Sequence, residues 1–94
     1  MRIGTVLVRG PSMVPTLRDG DCLLVLRGGR VRPGRLVVGR FRSRPEVLVV
    51  KRAVAAAGGG WELTSDNPFA AGPTGTADVE ATVLWRYWPL RRRS

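Results

Sequence analysis

Apolar residues occur along this chain in short Val- and Leu-rich runs, and nowhere recur at the three-and-four spacing of an amphipathic helix. The runs fall at 3–9, 21–27, 35–42, 46–56, 60–64 and 79–86, and each reads as a β-strand. Between them lie the turn-rich segments RGGRVRPG (27–34), RSRP (42–45), AGGG (57–60) and SDNPFAAGPTG (65–75). A tight turn is expected at 12–18, where Pro15 follows Ser12, Met13 and Val14. Six short strands without a helix predict an all-β domain, a small antiparallel sheet or partly closed barrel.

Ninety-four residues make one domain, expected over 1–90, with the basic tail 91–94 frayed. The chain has no histidine and a single cysteine, Cys22, so a histidine base and an internal disulfide are both excluded. Any general base must be a carboxylate or a lysine. Cys22, beside Leu23, Leu24 and Val25, is expected in the core. The apolar run at the start is too short for a signal peptide, and no run approaches the roughly 20 residues of a membrane span. No transmembrane segment and a cytoplasmic location are therefore expected.

The net charge is +9, and Lys51 is the only lysine among the sixteen cations. Such an excess suits an anionic partner, and Trp61, Trp85, Tyr87 and Trp88 offer stacking surfaces. The arginines are scattered rather than clustered, however, so nucleic acid is not the expected partner. A basic module without catalysis, binding nucleic acid or an anionic surface, is the alternative from a different functional class.

The segment RGPSMVPTLRDGDCLLV (9–25) puts one hydroxyl, Ser12, between Pro11 and Pro15. Proline fixes its own φ and restricts its predecessor, so Ser12 is expected in a stiffened bend, with Gly10 held extended and allowing close approach of another chain. A bend of this kind can present a hydroxyl together with its own backbone N–H, which suits an acyl-transfer nucleophile. The run EVLVVKRAVAA is the most continuously apolar in the chain and reads as a strand covered on both faces. Lys51 and Arg52 interrupt it and should point to opposite faces. Arginine keeps its charge, whereas a desolvated lysine favours the neutral amine, which is a general base. Without histidine, Lys51 is the residue suited to deprotonating Ser12.

PSMVPTLRDGDCLLV resembles the nucleophile box of the signal peptidase I (S26) family, VVKRAVA its lysine box and WELTSDNP its Gly-Asp-Asn box, in matching order over residues 8–68. The resemblance implies a Ser-Lys serine endopeptidase on an all-β scaffold, with Ser12 as nucleophile, Lys51 as base and the Ser12 backbone N–H in the oxyanion hole. It also implies that Met13 and Gly10 line the substrate cleft, that Pro15 shapes the turn, and that Asp66 and Asn67 brace the loop beside the dyad. Asp21 reads as structural, capping a turn or pairing with an arginine such as Arg52.

Within that group the form ending in VLWRYWP is similar to the nickel-type superoxide dismutase maturation proteases of actinobacteria. That similarity implies removal of an N-terminal propeptide from a protein precursor, with no cofactor and no metal. An export peptidase core is the alternative. LexA-related self-cleaving repressors share Ser-Met-x-Pro and a lysine, but place a DNA-binding unit ahead of the serine, for which residues 1–11 leave no room.

The chain departs from the pattern in places. Ser65 replaces the glycine of Gly-Asp-Asn, Gly34-Arg35 stands where Gly-Asp is usual, and Gly10 replaces a hydroxyl residue two positions before the nucleophile. Ala71 falls where the family has a lysine-orienting serine, so Ser65, Thr74 or Thr76 is expected to substitute.

Overall fold

A computed structural model describes residues 2–70 and 72–89. Its elements are β1 (Arg2–Leu7), β2 (Cys22–Arg27), β3 (Leu36–Phe41), β4 (Val49–Ala57), β5 (Gly60–Thr64) and β6 (Thr76–Trp88). The fold is all-β. Every pairing is antiparallel, in the order β1-β2-β6-β3-β4-β5, and a further β6–β5 pairing closes β3, β4, β5 and β6 into a small ring. β1 and β2 extend from β6 as a wing. The basic tail 91–94 lies outside the described residues.

Closure depends on β6, which at 13 residues is long enough to serve β2, β3 and β5. Two glycines let the backbones come together. A Cβ on Gly39 would stand 2.5 Å from the Asp78 carbonyl oxygen, and one on Gly60 would collide with the Ala77 carbonyl. Between Leu23, Val25, Val38 and Ala81 of the sheet and Val8, Met13 and Leu17 of the first loop lies one buried cluster. The loop carrying the Ser-Met box is therefore part of the core, and burial fixes its position against the sheet.

Two expectations about β4 and β2 need correction. β4 is not covered on both faces: Val54, Ala55 and Ala56 are exposed, and Val47 and Leu48 precede the strand on the open side. The apolar run serves a sheet face at Lys51 and Ala53 and a surface cleft at 47–50. Cys22 is half-buried rather than in the core, because it starts β2 opposite exposed Leu7 and Trp88.

Candidate active site

Residues 11–17 form consecutive tight turns, with Val14 N–H donating to Pro11 O and Leu17 N–H to Met13 O. The Val14–Pro15 peptide is cis. Gly10 adopts φ +80° rather than the expected extended conformation. Only glycine enters that region freely, and the bend lets Gly10 N–H donate to Asp19 Oδ1 at 2.8 Å. Met13 is 1% exposed, so it packs in the core at the floor of the cleft.

The loop after β5 clamps this turn from outside. Asn67 donates twice, from its backbone N–H to Ser12 O and from Nδ2 to Pro11 O, both at 3.0 Å. Asp66 N–H donates to Met13 Sδ at 3.4 Å, and Thr16 Oγ1 donates to Asp66 Oδ2 at 2.5 Å. Asp66 also receives both arms of Arg52, Nε at 2.8 Å and Nη2 at 2.6 Å. These bonds, the one from Arg52 foremost, hold the Asp66 carboxyl below its ordinary value and raise the pKa of Arg52. Arg52 thus pairs with Asp66, not with Asp21. The Asp21 carboxylate instead accepts the Arg18 N–H at 2.9 Å and closes the turn before β2.

Lys51 lies opposite Val37 in the β3–β4 register and is 8% exposed. Its neighbour Arg52 faces the other side, toward Asp66. Burial disfavours the ammonium, so the pKa of Lys51 is lowered from the ordinary 10.5. Nζ donates to Ser65 Oγ at 2.7 Å. The β4–β5 register pairs Arg52 with Thr64, and one step further brings Lys51 opposite Ser65. Of the three expected substitutes for the lysine-orienting serine, Ser65 makes the contact; Ala71 lies outside the described residues.

Ser12 and Lys51 border one cleft of about 360 Å³, walled by Val6, Leu7 and Val8 on one side and Val47 to Val50 on the other. A second cavity of about 240 Å³, with Phe41, Leu63, Ser65 and Thr74 in its wall, meets Lys51 from the ring interior. Lys51 therefore lines both spaces. Thr16 and Asp19 also belong to the assembly, although the sequence motifs did not single them out. Thr16 lies in the turns that carry Ser12 and Asp19 in the next turn, and only the folded loop shows their partners.

A family model described as Peptidase S24-like matches residues 3–84. The chain belongs to that family. A search of curated proteins found no match. Membership makes the domain one of the serine peptidases related to LexA and the signal peptidases. The finer resemblance to the signal peptidase I branch is carried by the motifs alone. Among the described residues, no helix is long and apolar enough to cross a membrane.

Proposed function

We propose that this domain is an endopeptidase with a Ser12–Lys51 dyad, which removes an N-terminal propeptide from a protein precursor, that of nickel-type superoxide dismutase. The observation that carries the dyad is the shared cleft: a hydroxyl on a clamped turn and a buried amine whose pKa is lowered by desolvation border the same space. The choice of precursor rests on the motif resemblance.

In this reading the neutral Lys51 amine donates one N–H to Ser65 and keeps its lone pair for the Ser12 proton. As Ser12 Oγ attacks the scissile carbonyl carbon, Lys51 takes that proton. The Ser12 backbone N–H, which makes no hydrogen bond among the described residues, donates to the oxyanion. Collapse breaks the C–N bond, and the Lys51 ammonium protonates the departing amine. Water, deprotonated by Lys51, then hydrolyses the Ser12 ester, and the proton returns to Oγ. The Gly10 N–H is already given to Asp19, so the oxyanion has one backbone donor here, a deficit of about 10²-fold or more against a two-donor hole.

Incubating the chain with the superoxide dismutase precursor, and sequencing the new N-terminus by mass spectrometry, tests the substrate. One cut at the propeptide junction is expected, and an untouched precursor overturns the assignment. Family membership favours a second reading, cleavage of a segment of the same polypeptide. That reaction would be independent of protein concentration, whereas precursor cleavage scales with enzyme.

A further inference from the structure

Away from the cleft, the segment between β2 and β3 folds over a groove of about 470 Å³ bordered by Leu26, Arg30, Arg32, Arg35 and Thr82. Four of the chain's seven carboxylates are ion-paired elsewhere: Glu80, Asp78, Glu46 and Asp66 pair with Arg40, Arg42, Arg44 and Arg52. Among the described residues, Arg30, Arg32 and Arg35 have no ion pair and no side-chain hydrogen bond. Three uncompensated guanidinium groups around one groove repel one another, and a bound anion would relieve that repulsion.

Their placement is fixed by the backbone. Arg32-Pro33-Gly34-Arg35 is a turn closed by Arg35 N–H to Arg32 O at 3.1 Å, with Gly34 at φ +87°. Such a turn keeps its end Cα atoms within about 7 Å, so two of the three arginines start from neighbouring points. The turn is docked on β4 by Gly34 N–H to Ala53 O, Ala53 N–H to Arg35 O and Arg52 Nη1 to Gly34 O, each at 2.8 Å.

Thr82 supplies an independent observation. It is 1% exposed, borders the groove, and its hydroxyl makes no hydrogen bond among the described residues. A Cβ on Gly29 would come within 2.6 Å of that oxygen, so only glycine fits against it at that position. A nearly buried hydroxyl without a partner, beside three unpaired guanidinium groups, is a donor set suited to an oxyanion.

We propose that this groove binds a phosphate group, held by the forks of Arg30, Arg32 and Arg35 and by the Thr82 hydroxyl. The phosphate can belong to a free phosphate ester or to a lipid headgroup. Leu26 and Thr82 lie in a cross-strand row with exposed Ile3, beside the row Thr5–Leu24–Trp85 with exposed Trp85, so exposed apolar side chains lie near the groove.

The test titrates inorganic pyrophosphate into the full chain at low ionic strength by calorimetry. In parallel, the chain is sedimented with phosphatidylcholine vesicles with and without phosphatidylglycerol. The variants are Arg30→Gln/Arg32→Gln/Arg35→Gln, a scattered control Arg2→Gln/Arg18→Gln/Arg44→Gln with the same charge loss, Thr82→Val and Thr82→Ser. Saturable binding is expected to be abolished by the groove triple, retained within about threefold by the scattered triple and by Thr82→Ser, and weakened about tenfold by Thr82→Val. Pyrophosphate binding without vesicle binding assigns a free ester; vesicle binding that needs phosphatidylglycerol, without pyrophosphate binding, assigns a headgroup. Binding to neither probe, or equal loss in both triples, overturns the site.

Discussion

Replacing Ser65 by alanine removes the one side chain to which, among the described residues, the Lys51 amine is bonded, and the consequences can be worked through from the geometry. The donor–acceptor distance is 2.7 Å, and the lysine is 8% exposed, so water cannot fully replace the lost acceptor. A hydrogen bond from an ammonium contributes about 1.5–3 kcal/mol and one from a neutral amine about 0.5–1.5 kcal/mol. Losing it therefore costs the charged form roughly 1 kcal/mol more, which at 1.36 kcal/mol per unit lowers the pKa of Lys51 further, by somewhat less than about one unit.

The rising limb of the pH–rate profile should shift to lower pH by that amount. The plateau should fall about 10- to 100-fold, since the lone pair loses its orientation toward Ser12 and small misplacements are costly in rate. Initial rates of precursor cleavage at saturating substrate across pH 6–10, for the wild type, Ser65→Ala and Ser65→Thr, provide the assay. Thr keeps the hydroxyl and should restore the profile. A Ser65→Ala enzyme with an unmoved profile and a plateau within twofold of wild type would refute the assignment of Ser65 as the positioning residue.

Two further substitutions test the frame around the site. Asp66→Asn weakens the Arg52 fork and the Thr16 contact, and should destabilise the domain by about 1–2 kcal/mol in urea titrations at pH 6, the value being reduced for the partial exposure of Arg52. Because the carboxyl is held below 3.8 when folded, this stabilisation is complete above pH 3.8 and lost as pH falls through the folded value; a difference that fails to close in acid contradicts the pairing. Gly39→Ala drives a Cβ to 2.5 Å from the Asp78 carbonyl oxygen and 3.2 Å from Val79 Cα, where only backbone can yield, and should cost about 1–3 kcal/mol. An unchanged urea midpoint would show that β3 and β6 do not approach as closely as described.

The strands were legible because each is a Val/Leu run bounded by glycine, proline or a polar cluster, and those signals are local. β6 was underread at both ends: Thr76, Ala77 and Asp78 lack an apolar pattern, yet β3 and β5 both need them as pairing partners. The apolar residues Val47 and Leu48 read as strand but border the cleft, since hydrophobicity alone does not say whether a surface is buried by the chain or left open. Ser12 and Lys51 stood out through motif and scarcity, one hydroxyl between prolines and one lysine among arginines. Ser65 could be named only as one of three candidates, because its contact follows from the β4–β5 register. For Asp21 the capping alternative holds rather than the pairing with Arg52, whose partner Asp66 lies diagonally across that register, a relation that separation along the chain does not reveal.

The central claim is that neutral Lys51 activates Ser12. Its most direct test is the rate of precursor cleavage against pH for the wild type, with Ser12→Ala and Lys51→Arg beside it, each shown to be folded by circular dichroism. The account predicts a wild-type rate that rises with pH and levels at a value below the 10.5 of an ordinary lysine, and two folded variants without activity. Arginine keeps the charge and cannot give up its proton, so a folded Lys51→Arg that still cleaves the precursor would contradict it.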